Sequence, residues 1–186
     1  MKVQSAPYLT SETFVPGKMN TTEIYQHLLK NMNSGDVGVF ASDTLPHCVN
    51  LPSYIVVNTD PHTEEGSHWY GIYIDVNKNA IFFDSYGRRA PNEVLIFLRR
   101  CANRWHQNDL LMQNFSSNVC GQYCLLFLLF MYNNYNLREF QSLFSKNLFQ
   151  NDNIVKKMFS IHFKKLELHE LVTSTKFIIQ HCKNIL

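Results

Sequence analysis

The chain has no apolar stretch long enough to cross a bilayer. Its longest run, Cys124 to Tyr132, falls far short of the ~20 residues that a spanning helix needs. Its first residues hold no apolar core of the kind a secretory signal carries, so the expectation is a protein that is not secreted. A dominant charge is missing too: 17 Lys+Arg stand against 15 Asp+Glu, and a net charge of +2 is too weak to call for a polyanion partner. The five cysteines, at 48, 101, 120, 124 and 182, are odd in number and form no Cys-x-x-Cys pair. That excludes a disulfide framework or zinc knuckle and fits a reducing compartment. The sequons at Asn20 and Asn114 do not change this, because a glycan on Asn114 would sit beside the cysteine segment described below. Repeats and flexible linkers are absent, so residues 1–186 are expected to form a single domain, with 1–19 as an extended arm.

What the chain does have is apolar and aromatic bulk. Hydrophobic residues make up 45%, with 14 Phe and 9 Tyr, enough for a substantial core built on aromatic packing. Asn20 with Glu23 three places on is a capping box opening a helix through about Met32. Asp36–Asp43 alternates briefly and Tyr54–Asn58 reads as a buried strand. His68–Asp75 and Ala80–Asp84, joined by the turn at Asn77–Asn79, read as a hairpin. Pro91 starts a helix expected to run to about Trp105, and Leu110–Gln113 reads as a short strand. Helical spacing follows at Leu137–Lys146, Asn153–Phe163 and Lys176–Ile185. The architecture expected is α+β: a small central sheet with helices packed around it, one of them a core helix.

That core helix begins at the most informative stretch, Gln113-Asn-Phe-Ser-Ser-Asn-Val-Cys120-Gly121-Gln-Tyr-Cys124, which runs into Leu-Leu-Phe-Leu-Leu-Phe-Met-Tyr. Cys120 falls in the first turn, where unpaired N–H groups and the positive end of the dipole favour an anion, and the thiolate is the form that attacks. Gly121 offers no side chain to obstruct a substrate backbone. His68 opens one strand of the hairpin and Asp84 closes the other, sixteen residues on, which suits a base and the acid that orients it. Gln113 could supply an amide N–H to an oxyanion, with the Cys120 backbone N–H as second donor. For the other cysteines, packing is the default reading. Asp84→Asn, which keeps the shape, is expected to be milder than loss of His68 or Cys120.

Three segments together, Gly66-Ser-His68-Trp69, Phe82-Phe-Asp84-Ser-Tyr-Gly87 and Gln113-x6-Cys120-Gly121-x2-Cys124, resemble the motifs of adenovirus maturation protease (adenain) and its virophage and Maverick/Polinton relatives. These share a clan of cysteine peptidases with the SUMO-specific proteases. The flanking Val39–Pro46 and Ile55–Asp60 segments look like the virophage and transposon branch. The resemblance covers roughly residues 36–135. It implies an adenain/SUMO-protease-like fold with His68 as base, Asp84 as orienter, Gln113 as oxyanion donor, Cys120 as nucleophile and Trp69 lining the substrate site beside Gly121. It implies a thiol endopeptidase that processes capsid precursor proteins at sites with small residues such as Gly, working in the virion and the host-cell interior. The alternative within the clan is deconjugation of SUMO or ubiquitin-like modifiers; an acyltransferase and an inactive scaffold are the readings from other classes. Asp84 stands where the adenoviral enzyme has Glu. The resemblance also raises activation by DNA or by a disulfide-linked peptide, with Cys101 in the region of the linking cysteine. The charge of +2 does not support DNA, and Cys101 lies in a basic helical stretch. No cofactor or metal is expected to be required, and a monomer free of membranes is expected.

Overall fold

In the computed structural model, residues 17–164 are described; the expectations for residues 1–16, for Cys182 and for a helix at Lys176–Ile185 lie outside them. The elements are α1 (Thr21–Asn31), β1 (Asp36–Phe40), β2 (Ser53–Asn58), β3 (Trp69–Ile74), β4 (Asn79–Phe83), α2 (Asn92–Cys101), β5 (Arg104–Gln107), α3 (Cys120–Tyr132), α4 (Leu137–Gln141) and α5 (Leu148–Lys164). The strands make one mixed five-stranded sheet in the order β1-β2-β3-β4-β5, so the fold is α+β as expected. β2–β3 and β3–β4 are antiparallel, whereas both edge strands run parallel to their neighbours.

Helix α3 is buried on every side from Cys120 to Met131, which fits its lack of any polar stripe. It packs on one sheet face together with α1, α4 and α5, where Tyr54, Val56, Trp69 and Phe83 meet Phe127, Phe130 and Phe140. Gly71 leaves room for this approach, since a Cβ there would lie 3.0 Å from the Phe127 ring. The alternate residues Ile55, Val57, Ile72, Ile74 and Phe82 face the other way, onto Phe97 and Leu98 of α2. This alternation is what lets each strand serve two apolar layers.

The capping box at α1 forms as expected, with the Asn20 side chain accepting from the Glu23 N–H and Glu23 accepting from the Asn20 N–H, both at 2.9 Å. Four expectations are corrected. Helix α2 stops at Cys101 because Ala102 turns extended (φ −124°, ψ 146°), and Arg104–Gln107 joins β4 as a fifth strand. Leu110–Gln113 is not a strand: Met112 and Gln113 both donate to the Ser85 carbonyl, at 2.9 and 3.0 Å, instead of entering a ladder. Helix α4 ends at Gln141, and α5 begins at Leu148, behind an Asn147 side chain that accepts from the Gln150 N–H at 3.1 Å.

Candidate active site

His68 stands one residue before β3, where the β2–β3 ladder extends past the Asn58–Trp69 pair and the Thr59 N–H donates to the His68 carbonyl at 3.0 Å. The turn that delivers it needs Gly66, whose φ is +74° and whose missing Cβ would fall 1.8 Å from the Asn58 amide nitrogen. The Ser67 N–H donates to the Asp60 carboxylate, and the Ser67 and Thr59 hydroxyls bond at 3.0 Å.

Asp84 follows β4 directly, and Asn108 grips its backbone twice. The Asp84 N–H donates to Asn108 Oδ1 at 2.8 Å and Asn108 Nδ2 donates to the Asp84 carbonyl at 2.7 Å. The carboxylate is fully buried and accepts throughout: Oδ1 from His68 Nε2 at 2.6 Å and the Tyr86 N–H at 3.0 Å, Oδ2 from the Arg88 N–H at 3.2 Å. The hairpin thus brings the predicted base and acid together.

Cys120 is the first residue of α3 and its sulfur lies close enough to the His68 ring to raise the imidazole pKa. With Nε2 on Asp84, Nδ1 is the nitrogen left for the sulfur. Burial pulls the imidazole pKa down, but the hydrogen bonds to Asp84 and Cys120 and their negative charges outweigh it, leaving His68 raised to about 9. No side chain caps the helix at Val119, so that partner is missing for the first-turn N–H groups beside the sulfur.

Gln113 is fully buried and its amide is engaged at both ends. Oε1 accepts from Ser85 Oγ at 2.6 Å, and Nε2 donates to the Ser117 carbonyl at 3.0 Å and to Ser117 Oγ at 3.2 Å. The amide N–H groups therefore rest on the loop that leads into Cys120. Trp69 does not present its indole openly: it is 4% exposed, packs in the core, and donates from Nε1 to the Met19 carbonyl at 3.2 Å. The bare side of Gly121 faces Met19 and Ile24, 3.2 and 3.3 Å from where a Cβ would sit, so close packing of α3 on α1 accounts for this glycine. Gln122 Nε2 holds the Gly17 carbonyl at 3.0 Å, which ties the start of the described chain to the same helix turn.

Several neighbours of the site escape a reading of the sequence. Tyr86 stacks on His68 with centroids 4.6 Å apart, and Phe115, 65% exposed, stacks on Tyr86 at 5.2 Å. The Arg88 guanidinium sits 4.7 Å from the Tyr86 centroid. Tyr86 lay within the Asp-Ser-Tyr-Gly segment already singled out; Phe115 and Asn108 carried no local signal. Cys124 donates to the Trp69 carbonyl at 3.3 Å and burial pushes its thiol well up, which marks a packed cysteine. Cys101 is also buried, its thiol raised by burial and directed at the His47 carbonyl at 3.6 Å. Among the described residues, no group of His, Cys, Asp and Glu is arranged to hold a metal, and no helix is long and apolar enough to cross a membrane.

No protein-family model matches the chain, and no curated protein matches it. Among solved structures it is similar to the ASFV pS273R protease. The selenomethionine form gives a TM-score of 0.47 at 23% identity over 61% of this chain and 45% of that one. A second structure of the same protease gives 0.46 at 22% identity over 61% and 44%. A de-sumoylating protease gives 0.31 at 14% identity over 71% and 54%. The chain thus spans about half the length of these proteins.

Proposed function

We propose that this chain is a cysteine endopeptidase that processes viral capsid and virion precursor proteins during particle maturation, with Cys120 as nucleophile, His68 as base, Asp84 as orienting acid and Gln113 as oxyanion donor. The observation that carries the chemistry is the buried His68–Asp84 pair at 2.6 Å with the Cys120 sulfur beside the same ring. The capsid substrate rests on the motif resemblance.

The steps follow from which nitrogen faces which partner. Asp84 on Nε2 fixes the ring so that Nδ1 addresses the sulfur, and a ring that holds its proton through neutral pH stabilises the thiolate as one half of an ion pair. The sulfur attacks the scissile carbonyl carbon, and the electron pair of the C=O bond moves to oxygen. The Cys120 backbone N–H and Gln113 Nε2 donate to that oxyanion, and the imidazolium passes its proton to the departing amine. His68, now neutral, takes a proton from water, which attacks the thioester and frees the acid product. A buried, hydrogen-bonded ring needs no rearrangement between these steps.

An active-site thiol probe, applied alongside a Gly-containing capsid peptide and fluorogenic SUMO and ubiquitin conjugates, tests the reading. The wild type should be labelled at Cys120 and cleave the peptide, while Cys120→Ala loses both activities and His68→Ala loses turnover with the fold intact. Equal labelling of wild type and Cys120→Ala would remove the enzyme reading. Cleavage of a modifier conjugate in preference to the capsid peptide would move the substrate to the deconjugating alternative.

A further inference from the structure

The two ends of a primary amide are nearly the same shape, so only bonding partners decide which way Gln113 points. Ser85 alone would not decide it, because a hydroxyl can donate or accept. The Ser117 main-chain carbonyl can only accept, so Nε2 must face it, and Ser85 is thereby made the donor to Oε1. Ser85 is fully buried, and its carbonyl also receives the N–H groups of Met112 and Gln113 at 2.9 and 3.0 Å. One residue therefore holds Gln113 by main chain and side chain, and that residue directly follows Asp84.

The nitrogen side is anchored from α5. Asp152, 3% exposed, accepts from the Tyr123 hydroxyl at 3.2 Å and from the Asn114 N–H at 3.4 Å. Tyr123 lies one turn along α3 from Cys120, and its hydroxyl also reaches the Met112 carbonyl at 3.0 Å. The neighbouring Asn151 donates to that same Met112 carbonyl at 3.0 Å. A carboxylate this buried is costly unless its oxygens are bonded, and here the bonds fall on the segment around Gln113. Its bonds converge on both flanks of Gln113, on Met112 through Tyr123 and on Asn114 directly.

We infer that Ser85 and Asp152 are positioning residues for Gln113, Ser85 fixing which end of the amide carries the donor and Asp152 fixing the loop toward which that donor points. The inference rests on the reading of Gln113 as oxyanion donor. Both Nε2 hydrogens lie on Ser117 at rest, so one bond must open as the oxyanion forms. It is the longer bond, to the hydroxyl, whose own hydrogen already rests on the Asn114 carbonyl at 3.0 Å, while the main-chain carbonyl stays in place.

Double-variant cycles on the intact chain test this. Ser85→Ala should lower kcat about tenfold and Asp152→Asn about threefold, each with KM within about twofold. In a Gln113→Ala background, each should cost less than about twofold more, because the donor they position is gone. Alkylation of Cys120 by iodoacetamide, which forms no oxyanion, should keep its rate within about twofold in every variant. Asp152→Asn keeps the shape and one acceptor, so it carries the cycle if Ser85→Ala does not fold. Full-size effects in the Gln113→Ala background, or losses confined to KM, overturn the positioning role while leaving the protease reading intact. A wild type with neither selective alkylation at Cys120 nor turnover overturns both.

Discussion

Replacing Asp84 by Asn separates charge from shape at the centre of the site, and the surroundings of the carboxylate turn an apparently mild change into a severe one. Both oxygens accept: Oδ1 from His68 Nε2 and the Tyr86 N–H, Oδ2 from the Arg88 N–H. An Asn with its oxygen toward His68 sets its NH2 group against the Arg88 N–H. The reverse orientation sets it against the Tyr86 N–H and forces His68 Nε2 to become an acceptor, which moves the ring proton to Nδ1 in the neutral form, the tautomer that cannot take a proton from the sulfur. Asn108 pins the backbone through bonds of 2.8 and 2.7 Å, so the residue cannot shift to escape. Either arrangement leaves a buried donor without a partner, at about 1–3 kcal/mol.

The electrostatic loss is separate. His68 raised from 6.5 to about 9 corresponds to about 3 kcal/mol favouring the protonated ring in the folded state. The folded value lies above the unfolded one, so this stabilisation is fully present below pH 6.5 and fades as pH rises through about 9. In Asp84→Asn burial still opposes the charge and the carboxylate no longer answers it. The His68 midpoint, followed by NMR on histidine-labelled protein, should fall by about one pH unit or more. The denaturant midpoint of the variant should then change less between pH 6.5 and 9 than that of the wild type, and kcat/KM at neutral pH should fall by ~10² or more. A His68 midpoint that stays near 9 in the variant, or a kcat/KM within about threefold of wild type, would refute the pairing as the source of the shift.

Three further outcomes are expected. Gln113→Ala should lower kcat by ~10² with little change in KM, and steady-state kinetics on a capsid peptide showing unchanged kcat would deny it the donor role. Gly66→Ala combines a φ of +74° with a Cβ 1.8 Å from the Asn58 side chain. Thermal unfolding should show a loss of at least about 1–2 kcal/mol, and turnover should fall because His68 hangs from the same turn; an unchanged Tm would place the turn elsewhere. Gly121→Ala meets Met19 and Ile24 at 3.2–3.3 Å, so those side chains must give by tenths of an ångström. The better helix propensity of Ala, ~1 kcal/mol, offsets that strain. Stability should therefore move by no more than about 1 kcal/mol with KM unchanged, whereas a large rise in KM would return Gly121 to the substrate path.

Elements governed by neighbours in sequence could be read directly. The Asn20–Glu23 box and the Asn77–Asn79 turn act over a few residues, and the turn sets the hairpin register that joins His68 to Asp84. The errors fall where a distant partner decides. Val94, Phe97, Leu98, Cys101 and Trp105 keep helical spacing past the true end of α2, and only the free edge of β4 makes Arg104–Gln107 a strand. Leu110–Met112 looks like a strand, but the Met112 N–H turns to the Ser85 carbonyl and the Leu110 and Met112 carbonyls are taken by side chains, so no ladder forms. Gly121 and Trp69 likewise meet distant chain: a Cβ on Gly121 would touch Met19 and Ile24, and the Trp69 indole N–H donates to the Met19 carbonyl. Asp152 shows the same limit in its strongest form. An acid within a helical segment carries no mark of burial, and its partners appear only once α5 lies beneath a loop thirty-eight residues earlier. Residue types and turns thus disclose which groups could react, while the orientation of the Gln113 amide is written in contacts that no local pattern encodes.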